Sequence, residues 1–309
     1  MARLLPTLLV LALIGSTAVA FAVTEGLKLE KSPIGQTQVS KEIAPTCGGC
    51  ANHQAAIDFF LRKRDRLTVA IVDSNGEVVR TLDAGRRARR GAQQFIWNGR
   101  DDTGNVLADG TYRPRVHLAR EHRTIVLPNP IRVDTKAPQI MFVSARPPVF
   151  SPDGDFRREY VRLRYVASER ARAILYVNGD RRGMVRQFVR SGKLDWGGRS
   201  LRRLPAGRYR LQLRAVDLAG NLSPLTRTIV VRIRYVELRP HVVHVRSGDR
   251  FRVRVLTDAV RYTWHIGSRG KAGRQHLLAI RAGAPGRYVL RVAVNGHVAK
   301  ALLLVRPRS

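Results

Sequence analysis

Most of the chain alternates apolar and polar residues with a period of two. The alternation recurs in short runs, for example at residues 67–72, 161–165, 251–255 and 288–294. Because successive side chains of a β-strand point to opposite faces, this period predicts strands with one buried face. Turn-forming sequences such as SNGE, DDTGN and VNGD separate the runs. The pattern predicts an all-β protein built of sandwich-like layers, with no amphipathic helix.

The exception is an apolar segment near the start of the chain. Residues 4–23 carry no charge and follow Arg3. Such a segment is typical of an export signal, and its length also suffices for a membrane-spanning helix. Two small-x-small triplets within residues 18–22 fit a cleavage site. We expect either a cleaved signal peptide or a retained membrane anchor, with the rest of the chain in the cell envelope outside the cytoplasmic membrane or secreted.

An aromatic pattern occurs three times along the chain. Gly110-Thr-Tyr112 recurs as Gly207-Arg-Tyr209 and as Gly286-Arg-Tyr288, and each copy opens an alternating run. The tyrosines lie 97 and 79 residues apart, which is the size of a compact β-sandwich. A tryptophan precedes each copy, and large aromatic rings suit the space between two sheets. The predicted core pairs are Trp97 with Tyr112, Trp196 with Tyr209, and Trp264 with Tyr288.

These repeats suggest a division of the chain into three modules after an N-terminal segment. Proline-containing joints near Pro138 and Pro240 separate the modules. The predicted parts are a signal or anchor at 1–23, a stalk with a Cys-x-x-Cys at 24–54, and β-sandwich modules at 55–134, 135–237 and 238–309.

The first module contains three stretches with a family resemblance. Residues 72–80 read VDSNGEVVR, residues 95–104 read FIWNGRDDTG, and residues 108–112 read ADGTY. Over about residues 57–120 this resembles the FlgD-type immunoglobulin-like domain, the module named after the flagellar hook-capping protein. Asn98 stands where that family usually has aspartate, and asparagine serves a turn equally well. The second module is similar to bacterial extracellular Ig-like repeats through its Asp217-x-x-Gly-Asn221 turn.

The resemblance implies a structural or binding role without a reaction or a cofactor. Such modules are appended to secreted and envelope proteins and carry no catalytic residues of their own. We therefore expect a non-enzymatic envelope scaffold that contacts other envelope proteins. An accessory subunit of an envelope enzyme complex, with the chemistry on another chain, is an alternative.

The charge of the chain raises a second functional possibility. The formal net charge is +33, and 48 of the 56 basic residues are arginine because only eight are lysine. Like charges at neighbouring sheet positions repel, which favours a counterion such as an anionic polymer or lipid head group. Genomic arginine bias explains the same composition, so both interpretations stay open. Export and the 6% aromatic content argue against nucleic acid. The candidate polyanion-binding residues are Arg232, Arg234, Arg250, Arg252 and Arg254.

Acidic residues give one candidate metal site. Asp153, Asp155 and Glu159 offer carboxylate oxygens, the donors that calcium prefers, although a plain turn explains the same sequence. Asp101, Asp102 and Asp109 fall at hairpin turns and are expected to shape loops, so we predict no catalytic carboxylate pair.

The two cysteines form a Cys-x-x-Cys motif. Cys47 and Cys50 could be a metal half-site, a redox pair or a short disulfide. Zinc needs four ligands, and the surrounding sequence offers at most His53 as a third. In an oxidising compartment a structural disulfide is the expected state.

Overall fold

The computed structural model describes residues 4–29, 32–197 and 204–308. These residues form one N-terminal helix followed by β-strands throughout. The chain divides into two compact units, Met1–Thr135 and Lys136–Ser309. The buried side chains form three separate hydrophobic cores, one in the first unit and two in the second.

The N-terminal helix, α1 (Leu4–Leu29), contains the uncharged apolar segment. Its side chains over residues 9–21 are exposed. The Ser16 and Thr17 hydroxyls donate hydrogen bonds to the Leu13 carbonyl at 2.9 and 3.0 Å. Within the described part of the chain, no helix combines the length and apolar character needed to cross a membrane.

The first unit is a two-layer β-sandwich. One layer has the strand order β1-β3-β6, and the other has β2-β9-β7-β4-β5 with β8 on the edge of β7. Its nine strands are β1 (Ile34–Val39), β2 (Glu42–Ile43), β3 (Ala55–Leu61), β4 (Asp65–Val72), β5 (Val78–Ala88), β6 (Gly91–Trp97), β7 (Gly110–Leu118), β8 (Arg123–Val126) and β9 (Ile131–Val133).

The expected stalk at 24–54 requires a correction, because residues 34–43 belong to the first sandwich. Strand β1 pairs antiparallel with β3, and β2 pairs in parallel with β9. The register slips between Gly35 and Gln38, and Gln36 has a positive φ of 50°. This bulge breaks the period-two pattern, so the sequence hides the strand.

The same segment closes against the loop that follows Trp97. Gly99 has a φ of +72°, and a Cβ atom there would lie 2.2 Å from the Cγ atom of Pro45. Only glycine fits this close approach, which explains the glycine of the Trp-Asn-Gly sequence.

The second unit begins with a sandwich whose longest strand serves both layers. Its seven strands are β10 (Ile140–Arg146), β11 (Val149–Phe150), β12 (Tyr160–Val177), β13 (Asp180–Met184), β14 (Val189–Gly197), β15 (Gly207–Val216) and β16 (Ile229–Ile233). The first part of β12 pairs with β10 and β14, and its last six residues pair with β15. A register shift between Val166 and Ala171 marks the change of layer.

The other sandwich of the second unit has layers ordered β17-β19-β22 and β18-β24-β23-β20-β21. Its strands are β17 (Glu237–Arg239), β18 (Val242–Arg246), β19 (Arg250–Leu256), β20 (Tyr262–Ile266), β21 (Arg269–Gly273), β22 (Leu277–Arg281), β23 (Gly286–Val294) and β24 (His297–Arg306). The two sandwiches of this unit touch where the Tyr235 ring stacks on His297 with centroids 3.5 Å apart. The Thr257 hydroxyl also donates to the Tyr235 carbonyl at 2.8 Å.

A tryptophan and a tyrosine meet in two of the three cores. The rings of Trp97 and Tyr112 lie 5.5 Å apart, and those of Trp196 and Tyr209 lie 5.2 Å apart. All four side chains are buried. In the third core Trp264 is buried, whereas Tyr288 is only partly buried.

All three tyrosine hydroxyls make the same local hydrogen bond. Each donates to the carbonyl four residues earlier: Tyr112 to Ala108 at 2.9 Å, Tyr209 to Pro205 at 2.8 Å, and Tyr288 to Ala284 at 3.1 Å. This is the tyrosine corner of immunoglobulin-like sandwiches, which fixes the entry of a strand. Burial raises the pKa of Tyr112 and Tyr209 above the ordinary tyrosine value, so both hydroxyls stay protonated as donors.

Removing these hydroxyls should destabilise the modules unequally. We expect Tyr112→Phe and Tyr209→Phe each to lower the free energy of unfolding by about 1–2 kcal/mol, because each ring is buried and its part-buried hydrogen bond is lost. Tyr288→Phe should cost less, since its hydrogen bond is exposed and water can replace the hydroxyl. Urea unfolding followed by tryptophan fluorescence measures the three values. Equal losses at all three positions would contradict this ranking.

Candidate functional site

The acidic residues of the first module shape its turns. Asp101 accepts the backbone N–H groups of Thr103 and Asn105 at 2.9 and 2.8 Å through Oδ1. Hydrogen bonds, first that from the Thr103 hydroxyl, hold the pKa of Asp101 below its ordinary value. Asp109 accepts the backbone N–H of Thr135 at 2.7 Å. These carboxylates act as acceptors for neighbouring backbone groups.

The structure brings the three candidate metal ligands together. Asp153, Asp155 and Glu159 place carboxylate oxygens within 4.8 Å of one another in the loop before β12. Asp153 is 7% exposed. The loop also uses these carboxylates locally, because Asp155 accepts the Arg157 N–H at 2.8 Å and Glu159 accepts the Phe156 N–H at 3.0 Å. The cluster therefore supplies the oxygen donors of a calcium site and the acceptors of a turn at once.

A fourth carboxylate faces this cluster from the third sandwich. Both carboxylate oxygens of Asp258 are buried, as is Oε2 of Glu159. Burial raises the pKa of Asp258 to about 6, and the negative charges of Asp155 and Asp153 add to the effect. Arg157 connects the two loops through a 3.2 Å hydrogen bond to the Asp258 carbonyl. Sequence reasoning missed Asp258 because about a hundred residues separate it from the loop.

The five candidate arginines fall into two groups. Arg250, Arg252 and Arg254 are exposed along β19, while Phe251, Val253 and Val255 between them are buried. Arg232 forms a 3.0 Å ion pair with Glu237, and Arg234 is half-buried just after β16. Only the first three therefore form an outward row.

Neighbouring strands extend this row. Arg281 on β22 pairs directly with Arg250, and Arg239 on β17 pairs directly with Arg254. Glu237 contacts Arg239 at 3.0 Å and is the acid at that edge. We call Arg239, Arg250, Arg252, Arg254 and Arg281 the β19 arginine face. Sequence reasoning found the central row and missed its flanks, because only the register shows which residues stand side by side.

The remaining predicted residues lie in ordered positions. The sulfur atoms of Cys47 and Cys50 are bonded, with Cα atoms 5.7 Å apart, and the Nδ1 atom of His53 lies 2.9 Å from the Cys50 carbonyl oxygen. The six predicted aromatic residues lie in the three cores, Tyr288 at the margin of its own.

Comparison with known proteins agrees with this architecture. Residues 53–121 match the sequence model of the family described as FlgD Ig-like domain. The chain is built of Ig-like β-sandwich modules after an N-terminal helix. The resemblance predicted from residues 57–120 and the predicted all-β class are thus confirmed. No curated protein matches the sequence. Ig-like folds of this kind are consistent with a non-enzymatic scaffold.

Solved structures of similar fold come from several sources. A titin I-band fragment, I67–I69, covers 91% of this chain and 100% of its own at 12% identity, with a TM-score of 0.31. The match to the human OSCAR ligand-binding domain covers 65% of this chain and 100% of that domain, at 13% identity and a TM-score of 0.32. The match to FlgD from P. aeruginosa covers 38% of this chain and 83% of that protein, at 18% identity and a TM-score of 0.25. At these identities the likeness concerns fold alone.

The raised pKa of Asp258 predicts a pH-dependent stability of the second unit. The pKa of this carboxyl is about 6 in the folded protein and near 4 in the unfolded chain. Its contribution to the free energy of unfolding is therefore fully present below pH 4 and is lost as the pH rises through about 6. Asp258→Asn, which cannot ionise, should therefore melt higher than the wild type at pH 7.5. The difference should vanish near pH 4. Thermal unfolding at both pH values measures it.

Adding calcium tests whether the acidic cluster is a cation site. If Asp153, Asp155 and Glu159 hold calcium, millimolar calcium should raise the wild-type melting temperature at pH 7.5 and should stabilise the Asp155→Asn variant less. Asp102→Asn, at an acidic turn of the first module, is the matched control. A wild-type melting curve unchanged by calcium or chelator would leave the loop as a turn.

Proposed function

We propose that this chain is a non-enzymatic exported protein of the cell envelope whose Ig-like modules form a structural and interaction scaffold. The observation that carries this proposal is the repeated use of aromatic residues for core packing. Trp97 and Trp196 lie between sheets against their tyrosines, and the carboxylates of Asp101 and Asp109 accept hydrogen bonds within turns. The residues that drew attention in the sequence thus have structural partners.

Three features support a location outside the cytoplasm. The exposed apolar side chains of α1, such as Leu9 and Phe21, need an apolar environment that a translocation machinery or a lipid surface supplies. The FlgD Ig-like domain suggests a flagellar or extracellular protein. The disulfide between Cys47 and Cys50 also fits an oxidising compartment, where disulfides persist.

Fractionation of the native protein with N-terminal sequencing tests this proposal. We expect the protein in the envelope or the medium. A mature N-terminus just after Ala20 or Ala22 would indicate a cleaved signal, and an intact N-terminus in the membrane fraction would indicate an anchor. A cytosolic protein that retains residues 4–23 would overturn the proposal.

The β19 arginine face supports a second candidate function, the binding of anionic envelope polymer or lipid head groups. Five arginines share one side of a three-stranded layer, and Glu237 is the acid beside them. Mutual repulsion of these guanidiniums destabilises the free protein, and an extended anion would relieve it. A row of charges spread over three strands matches an extended anion better than a small molecule.

Replacing the central row tests this binding directly. Arg250→Gln, Arg252→Gln and Arg254→Gln together should weaken binding to phosphatidylglycerol vesicles by about 3 kcal/mol at low salt, at about 1 kcal/mol for each basic residue. Binding to heparin resin should fall in parallel if polymers also dock there.

The control removes the same charge elsewhere. Arg113→Gln, Arg227→Gln and Arg274→Gln change three exposed, scattered positions, so their loss should be clearly smaller. Equal losses in the two triple variants would reduce the effect to net charge and remove this candidate.

A further inference from the structure

The charged turn residues of the first module differ between the two ends of its sandwich. In an antiparallel sandwich the turns alternate between the two ends. The turns after β4 and β6 and the entry to β7 share one end, which carries Asp73, Glu77, Asp101, Asp102 and Asp109. The turns after β3, β5 and β7 share the other end, which carries Arg62, Lys63, Arg64, Arg89, Arg90, Arg120 and Glu121. Arginine occurs at both ends, whereas five of the acidic residues of these turns lie at one end and one, Glu121, lies at the other.

The basic end surrounds a shallow and largely open depression. Its three turns surround an opening of about 760 Å³, lined by the seven residues just named. Six of the lining side chains are cationic and one is acidic. A cluster of like charges around one opening raises the local concentration of the opposite ion. We call this opening the basic cleft.

Buried contacts hold the walls of the basic cleft in place. Asp65 is 4% exposed, and its carboxylate accepts the backbone N–H groups of Arg66, Arg120 and Glu121 at 2.6, 2.8 and 3.2 Å. This joins the β3–β4 turn to the β7–β8 turn. Gln93 fixes the third turn by donating to the Arg89 carbonyl at 3.0 Å. The cationic side chains thus project from an ordered frame.

Most cations of the basic cleft lack a counterion. Lys63 pairs with Glu121 at 3.5 Å, and Arg62 donates to the Ser32 carbonyl at 3.0 Å. Asp65 points inward to backbone groups and neutralises no guanidinium. Four exposed side chains have no hydrogen bond or ion pair within the described ranges: Arg64, Arg89, Arg90 and Arg120.

Arginines toward the acidic end behave differently. Arg100 donates to the Gly104 carbonyl at 2.8 Å, and Arg115 donates to the Gly76 carbonyl at 3.2 Å. Arg80 lies 3.6 Å from Asp102. Arginine there supports turns, whereas Arg64, Arg89, Arg90 and Arg120 make no such contact within the described ranges. The unused guanidiniums are therefore available to a ligand.

We infer that the basic cleft binds a ligand with several closely spaced phosphate groups, such as an oligophosphate or a phosphate-ester chain. Guanidinium groups form paired, charge-assisted hydrogen bonds with phosphate oxygens. A phosphate carries up to two negative charges where a carboxylate carries one, so phosphates can match this many cations within one small opening. This site lies outside the β19 arginine face and does not depend on it.

Titration calorimetry of the full chain with inorganic tripolyphosphate tests the inference. We expect one binding site, weakened by salt because the contacts are ionic, and much weaker binding of citrate. Arg90→Gln with Arg120→Gln should lower the affinity at least ten-fold. Arg90→Lys with Arg120→Lys should keep part of the affinity and lose preference for tripolyphosphate over citrate, because the paired hydrogen bonds are gone while the charge remains.

Two controls locate the binding. Lys41→Gln with Arg113→Gln removes two exposed charges elsewhere on the same unit and should change the affinity less than three-fold. Arg250→Gln with Arg252→Gln should leave tripolyphosphate binding intact, so failure of the β19 arginine face and failure of the basic cleft are distinguishable. No binding by the wild type, equal losses in cleft and control variants, or equal affinity for citrate would overturn the inference.

Discussion

The aromatic pair between two sheets, with the tyrosine hydroxyl bonded to a nearby carbonyl, is the contact on which the first two modules depend. The ring of Trp97 meets Tyr112 at 5.5 Å, and the tyrosine hydroxyl satisfies the Ala108 carbonyl at the turn into the next strand. One residue thus fills the core and fixes strand entry. Because the largest rings are used inside the sandwiches, only turns and outward strand faces are left for recognition.

In the third module the motif tyrosine packs less tightly. Tyr288 keeps its hydrogen bond to Ala284 but is only partly buried. Tyr262 compensates: its ring covers Gly273 on the neighbouring strand, where a Cβ atom would lie 2.3 Å away, and its hydroxyl donates to the Gln275 carbonyl. A tyrosine over a cross-strand glycine replaces some of the apolar area that the motif tyrosine no longer buries.

Local sequence predicted the fold well where the strands are regular. The period of two and the Gly-x-Tyr copies identified the sandwich class, because both depend on neighbouring residues. The strand β1 was missed because its bulge at Gly35 breaks the alternation. Asp258 and the basic cleft were missed for another reason. Each is assembled from segments distant in sequence, and only strand register and packing bring Asp258 to Asp155 or Arg120 to Arg64.

The positions of the arginines bear on function more than their number does. Where arginine contacts a carboxylate or a turn carbonyl, as Arg162 does with Asp195 at 2.8 Å, the fold already uses its charge. Where guanidiniums gather without such contacts, their repulsion weakens the folded state, and any anion that binds them stabilises it through mass action. The β19 arginine face spreads its charges over three strands, whereas the basic cleft gathers its charges on three turns. The ligands that we propose for the two surfaces therefore differ in shape despite their common chemistry.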